Sequence, residues 1–154
     1  EQKGAIPEQY RTLIGNRVYG CDDCQLICPW NRYANITAEA DFHPRQKLMS
    51  QELINLFAWN ERTFLKNTEG SAIRRIGFER WQRNLAVGLG NAPYSVEIVD
   101  TLQAALSHST DLVKEHIQWA LAQHQSKAIQ EKKSEGRLTQ RLVRSIEKGL
   151  VRDA

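Results

Sequence analysis

The sequence predicts a mainly α-helical protein in which a loop-rich segment containing cysteines precedes a helical domain. Two observations lead to this prediction. Apolar residues recur at helical spacing through most of the chain after Ser50. All three cysteines of the 154 residues stand close together, at Cys21, Cys24 and Cys28. A chain of this length buries one ordinary core, with room for a small additional segment.

Short helices are predicted at the start of the helical part. Ser50 is the expected cap of a first helix over residues 53–57, and Asn60 of a second. Ser71 begins a third, short helix. Residues 78–89 then place large apolar side chains largely on one face, and Gly90 with the residues up to Pro93 ends this helix.

A weak internal repeat follows. The segments LAVGLGN (85–91) and IQWALAQ (117–123) share the same order of apolar and small residues. Each is predicted to be the second helix of an antiparallel pair, as in helical-repeat solenoids. Two unrelated amphipathic helices are the alternative. A helix over residues 96–106 and another capped by Asp111 complete this part.

The end of the chain is polar and basic. Residues 126–136 predict a loop or a frayed helix, because they are almost entirely polar. A closing amphipathic helix follows, with apolar residues at every fourth position from Leu138 to Leu150. A second stripe of this helix is cationic and is interpreted as a solvated face; its members are Arg137, Arg141, Arg144 and Lys148.

Composition and charge exclude several classes of protein. No apolar run approaches the roughly 20 residues that span a bilayer, and the first residues lack the layout of a signal peptide. The odd, local set of cysteines favours a reducing compartment. The net charge of +3 is modest. The only methionine is Met49, so we expect a piece of a longer protein that continues on the N-terminal side.

The cysteine spacing C-x2-C-x3-C-P is typical of metal binding. The bacterial iron–sulfur pattern C-x2-C-x2-C-x3-C-P ends in the same way, and its last cysteine ligates the second cluster of a pair. On this interpretation Cys21 and Cys24 serve one cluster and Cys28 reaches another. Structural zinc needs a fourth ligand, and His43 is the only nearby imidazole.

Two other interpretations of the cysteines stay open. A redox C-x-x-C fits poorly, because no βαβ pattern surrounds it. Three buried free thiols are the structural alternative. The histidines at positions 43, 108, 116 and 124 show no pairing with carboxylates or cysteines and are expected to be structural.

Three separated stretches resemble epoxyqueuosine reductases. They are GNRVYGCDDCQLICPWNRY (15–33), FLKNTEGSAIRRIGFERWQRNLAVGLGNAP (64–93) and QRLVRSIEKGLVRDA (140–154). The resemblance implies a cytoplasmic oxidoreductase that reduces epoxyqueuosine to queuosine at the wobble position of tRNA, with cobalamin and two [4Fe-4S] clusters. It implies that this chain is the C-terminal part of such an enzyme and lacks the cobalamin-binding catalytic domain.

The implied fold is a HEAT-like helical-repeat domain over residues 46–154. It follows a loop-rich part of a two-[4Fe-4S] ferredoxin-like module over residues 1–45. Carried over by the resemblance, Cys21 and Cys24 are ligands of the second cluster and Cys28 of the first. The chain alone is expected to hold neither cluster properly and to be inactive. Tyr19 and Trp30 are interpreted as ordinary core residues.

The implied partner is tRNA, bound at its anticodon stem-loop by the helical domain. Phosphate contacts supply most of such affinity, so basic residues of the second stretch are the candidates. The predicted tRNA-binding residues are Lys66, Arg74, Arg75, Arg80, Arg83 and Asn84. An electron donor of unknown identity and a monomeric full-length protein are also expected.

Two alternatives come from other functional classes. The first is a non-enzymatic helical-repeat module that binds RNA and has a zinc knuckle. The second is an electron-transfer subunit that acts with a separate cobalamin protein.

Overall fold

A computed structural model describes residues 2–39 and 52–149, with side chains up to Arg144. Over these residues the chain is helical and contains no β-strand, which confirms the predicted mainly α class. The helices are α1 (Glu8–Ile14), α2 (Asp23–Leu26), α3 (Leu53–Phe57), α4 (Glu61–Asn67), α5 (Gly77–Asn91), α6 (Val96–Ala105) and α7 (Asp111–Gly149), with 3-10 helices at Pro29–Tyr33 and Ala72–Ile76. The predicted cap Ser50 and the predicted domain boundary at residue 45 lie outside the described residues.

Helix α5 is the centre of the core and packs chiefly against α7. Leu85 and Val87 of α5 and Ile117 of α7 are fully buried, and burial of each such side chain contributes roughly 1.5–3 kcal/mol. Gly90 permits the close approach of the two helices, because its missing side chain leaves room for Trp119. The proposed repeat segments 85–91 and 117–123 therefore contact one another, and their common origin stays a prediction.

Aromatic rings join α4 to the start of α5. The rings of Phe64 and Trp81 have centroids 5.5 Å apart, and Trp59 stacks on Trp81 at 6.0 Å. The predicted cap Asn60 is confirmed, because its Oδ1 accepts a hydrogen bond from the Thr63 amide at 2.8 Å. This cap sets the direction in which α4 enters the cluster.

Helix α7 is longer than predicted. The prediction of a loop or frayed helix over residues 126–136 is wrong, since α7 runs without interruption to Gly149. The Lys, Glu, Gln and Ala residues of this stretch are good helix formers, and the single Gly136 costs only about 1 kcal/mol. Every side chain from Ile129 to Arg144 is exposed, so this part of α7 projects from the core. None of the described helices combines the length and apolar character needed to cross a membrane.

Candidate functional site

The three cysteines lie on a short irregular segment at one edge of the helical core. Cys21 stands between two residues of left-handed backbone conformation, Gly20 (φ 68°) and Asp22 (φ 55°). Cys24 is in α2, and Cys28 directly precedes the 3-10 helix that Pro29 begins. All three thiols are free; Cys21 and Cys24 are exposed and Cys28 is half-buried.

The donors of this segment suit an iron–sulfur cluster in kind but not in number. Thiolates are the usual ligands of [4Fe-4S] clusters, which take four each. Over the described residues no group of three or more cysteine, histidine or carboxylate side chains is arranged to hold a metal ion. Residues 2–39 and 52–149 therefore contain no complete zinc site either, and His43 lies outside them. The segment fits a cluster site whose remaining ligands come from elsewhere.

Apolar side chains surround the cysteines but point outward. Leu26 is 74% exposed, Ile27 82% and Trp30 74%. The interpretation of Trp30 as a core residue is wrong, because the described residues leave its ring uncovered at the edge of the fold. Tyr19 is also partly exposed, and its hydroxyl donates to the Ala72 carbonyl at 3.2 Å. So many exposed apolar side chains beside the thiols are typical of a surface that another part of a protein covers.

A groove of about 630 Å³ adjoins Cys21. Its walls are mostly apolar and come from α1, from the residues before Cys21, and from α5. Its polar lining includes Arg83 and Asn84 of α5 and Arg17, whose guanidinium pairs with Asp23 at 3.1 Å. The groove therefore connects the cysteine segment to the centre of the core helix.

Arg83 and Asn84 hold the N-terminal segment. The Arg83 guanidinium donates to the carbonyls of Gln2 at 2.9 Å and Gly4 at 2.5 Å, and also to Oδ1 of Asn84. The Asn84 amide donates to the Val18 carbonyl at 2.7 Å. Arg83 is only 5% exposed, and burial, with Arg80 nearby, lowers its pKa. In this structure the two predicted tRNA-binding residues thus have internal partners.

Two further residues, Asn91 and His116, reinforce this attachment. The Asn91 amide donates to the carbonyls of Arg11 and Gly15, at 2.8 and 2.9 Å. The buried His116 accepts a hydrogen bond at Nε2 from the Ile6 amide, at 3.0 Å. No motif in the sequence could have revealed these bonds, since they join residues up to 110 positions apart.

Arg11 adds an ion pair to the same attachment. It is buried, its Nε donates to the Ile6 carbonyl at 2.8 Å, and its guanidinium pairs with Glu115. The guanidinium also lies over the Trp119 ring, 5.9 Å from its centroid. A buried guanidinium needs such partners, because an uncompensated buried charge is costly.

The remaining predicted tRNA-binding residues form an accessible cationic surface. Lys66, Arg74 and Arg75 are exposed, and Arg80 is half-exposed. Arg80 lines a cleft of about 380 Å³ that also reaches Tyr19 and Gly20. The bond from Tyr19 to Ala72 joins the cysteine segment to the 3-10 helix that carries Arg74 and Arg75. Arg74, Arg75 and Arg80 are therefore next to the cysteine segment.

The histidines of the described part are structural or exposed. His116 and His124 are fully buried, and Nε2 of His124 lies 2.9 Å from the Leu89 carbonyl. Burial lowers the pKa of His116, so the ring is neutral near pH 7. Its Nδ1 lies 2.7 Å from the Leu112 carbonyl, which places the proton on Nδ1 and leaves Nε2 as the acceptor for Ile6.

The sequence is similar to known proteins along its whole length. Residues 1–31 match a family described as a 4Fe-4S double cluster binding domain. The chain is 58% identical over 156 residues to the epoxyqueuosine reductase of Shewanella oneidensis, and 57% identical over 157 residues to that of Escherichia coli. These alignments cover 100% of this chain, and 39% and 41% of the two relatives. The chain thus spans about two fifths of their length.

Solved structures share the fold. A crystal structure of epoxyqueuosine reductase with an epoxyqueuosine-modified tRNA-Tyr stem loop has a TM-score of 0.57 and 23% identity, over 80% of this chain and 42% of that one. A structure of the reductase from Bacillus subtilis has a TM-score of 0.56 and 23% identity, over 79% of this chain and 41% of that one. This likeness shows the fold of the helical part.

Proposed function

We propose that this chain, which is related over its whole length to the epoxyqueuosine reductases, forms one part of such an enzyme. The enzyme would reduce epoxyqueuosine to queuosine at the wobble position of tRNA. The observation that carries the proposal is the high identity to two reductases across the entire chain, including a cysteine segment inside the double-cluster match. This part alone would be inactive, because it covers about two fifths of the relatives.

The reaction defines what the chain has to contribute. Reduction of an epoxide to an alkene takes up two electrons and two protons and releases the oxygen as water. Bound [4Fe-4S] clusters supply a path for these electrons, one at a time. Cys21 and Cys24 would ligate one cluster and Cys28 the other, and the rest of the protein would supply the remaining ligands and hold cobalamin. The full-length enzyme would act as a monomer in the cytoplasm and take electrons from a separate donor.

Replacing single cysteines in the full-length protein tests the ligand roles. Cys21→Ser and Cys24→Ser are each expected to remove one cluster, because each cubane needs four thiolates; iron should fall from about eight to about four atoms per protein. Cys28→Ser should remove the other cluster. Iron analysis and the electron paramagnetic resonance (EPR) of the reduced protein measure both outcomes.

Asp22→Asn is the matched control. It lies between the thiols, it is exposed, and Asn tolerates the left-handed backbone of this position. This variant should keep all its iron. Loss of the same EPR signal from Cys28→Ser as from Cys21→Ser would contradict the assignment to two clusters. A wild-type protein without iron would contradict the function itself.

The cationic surface of Lys66, Arg74, Arg75 and Arg80 would bind the tRNA backbone. Its support is its exposure and its position next to the cysteine segment. A similar fold has been solved with a modified tRNA stem loop, which agrees with this role. Arg83 and Asn84 would act on tRNA only indirectly, through the segment that they hold.

Charge reversal tests this surface in the full-length protein. Arg74→Glu with Arg75→Glu is expected to weaken tRNA binding by at least about tenfold, and to reduce the slope of log K against log salt by about 0.7 per lost phosphate contact. A filter-binding titration at several salt concentrations measures both. Lys132→Glu with Lys133→Glu, an adjacent exposed pair on the projecting part of α7, should change binding much less. Equal effects of the two double substitutions on tRNA binding would mean that binding depends on net charge alone, which would contradict a specific role of Arg74 and Arg75.

A further inference from the structure

Arg83 and Asn84 connect the core helix α5 to the backbone that leads to the cysteines. Both residues lie in the middle of α5, the most buried helix, and both donate to backbone carbonyls of the N-terminal segment. Val18, which accepts from Asn84, is three positions before Cys21. We refer to Arg83 and Asn84 as the clamp.

The clamp joins two parts of the N-terminal segment to one point of α5. Arg83 binds its start, at Gln2 and Gly4, and Asn84 binds Val18, just before the cysteines. The two side chains are also bonded to each other, since Oδ1 of Asn84 accepts from Nε and Nη2 of Arg83 at 3.1 and 2.9 Å. Each side chain therefore supports the position of the other, and together they hold both ends of the segment.

The clamp also places a buried positive charge in the wall of the groove that Cys21 lines. The Arg83 guanidinium and Cys21 line the same groove. Its hydrogen-bond acceptors are two backbone carbonyls and the Asn84 amide oxygen, and it forms no ion pair within the part of the chain that the structure describes. No carboxylate among the described residues is paired with this guanidinium, although the charge of Glu79 acts on it from a longer distance.

We infer that Arg83 and Asn84 are positioning residues that fix the backbone before Cys21 and so set the reduction potential of the cluster that Cys21 ligates. Net charge, hydrogen bonding and solvent exposure determine such potentials. The clamp bonds the backbone before Cys21 and brings the buried Arg83 charge to the groove that Cys21 lines. On this inference the helical domain sets the reduction potential of that cluster, in addition to holding the cysteine segment in place. This inference rests on the cluster binding proposed above.

A redox titration of the full-length protein, followed by EPR, tests the inference. Asn84→Leu removes the bond to Val18 and is expected to change the reduction equilibrium of one cluster by about tenfold, or about 59 mV for a one-electron couple. The other cluster should keep its potential. Selective loss of the iron of the Cys21 cluster would equally support the inference, because it too shows a displaced ligand.

Gln82→Met is the matched control on the same helix. Gln82 is also buried, and its amide also donates to two backbone carbonyls, those of Phe57 and Trp59, at 3.0 and 3.1 Å. These carbonyls belong to the helical domain, so Gln82→Met should lower stability and leave both potentials unchanged. If both variants shift the potentials equally, or if Asn84→Leu shifts neither, the inference is wrong.

If Asn84→Leu does not fold, Arg83→Lys tests the same inference. Arg83→Lys keeps the charge but cannot reach Gln2, Gly4 and Asn84 together, because an ammonium lacks the planar fork of a guanidinium. Arg83→Lys should shift the reduction potential of the cluster that Cys21 ligates, in the same titration. An unchanged potential would overturn the inference. A wild-type protein without clusters would instead overturn the proposed function, so the two failures are distinguishable.

Discussion

Replacement of Gly90 by alanine is expected to destabilise the helical core by about 2 kcal/mol or more, although alanine favours helices. A Cβ at this position would lie 2.6 Å from Cζ3 of Trp119 and 2.9 Å from Cα of Ala120. The Trp119 ring is buried and Ala120 belongs to the α7 backbone, so neither can yield without moving a helix. Urea unfolding followed by tryptophan fluorescence measures the loss.

Gly136→Ala is the matched control for Gly90→Ala. It lies in the projecting part of α7, where an added Cβ has no atom within 4 Å. The same substitution there should increase helical content and favour the helix by about 0.5–1 kcal/mol, without lowering the stability of the core. An equal loss of stability in both variants would contradict the close packing of α5 on α7.

Replacement of His116 by leucine is expected to lower the free energy of unfolding by about 1–3 kcal/mol. The imidazole is fully buried and accepts the hydrogen bond of the Ile6 amide, which leucine cannot do. The amide would stay buried and unpaired, and the N-terminal segment would loosen from α7. Hydrogen exchange at Ile6, compared with exchange at α5 amides, locates the change.

The effect of His116 also depends on pH. Burial is the main cause that lowers its pKa below 6.5, and Arg11 and Arg83 add to it, whereas the bond to Leu112 and the charge of Glu115 oppose it. Because the folded pKa is lowered, the stabilisation is complete above pH 6.5 and is lost as pH falls from 6.5 toward the folded pKa.

Wild type and His116→Leu should therefore differ less in stability at about pH 5.5 than at about pH 7.5. Unfolding in urea at both pH values tests this. His108→Gln is the control for loss of a histidine, because His108 is exposed and its replacement should leave stability unchanged. A difference that is the same at both pH values would mean that His116 does not titrate on unfolding.

Much of the fold could be predicted from local signals in the sequence. Helical periodicity predicted the mainly α class, and the helices that begin near Gly77, Val96 and Asp111 follow it. The cap Asn60 was recognisable because a cap depends on neighbours within one turn. The prediction failed at residues 126–136, where polarity suggested a loop. Helix propensity prevailed there, although the side chains from Ile129 onward are exposed.

The functional surface was only partly predictable. Lys66, Arg74 and Arg75 are exposed as expected, but Arg83, from the same basic cluster, is buried against the N-terminal segment. The helical pattern could not foresee this, because residues 2–18 cover a second face of α5. Trp30 is the opposite case, since its large ring suggested burial and the described fold leaves it exposed.

By itself, the sequence determined the helical class, the three thiols with their spacing, and the similarity to epoxyqueuosine reductases. Each of these depends on residues that are close in the chain or on identity along it. Only the tertiary structure decided that Arg83, Asn84, Asn91 and His116 attach the N-terminal segment to the core. Those hydrogen bonds join residues 66 to 110 positions apart, and side-chain donors find backbone partners at that separation only once the helices have packed.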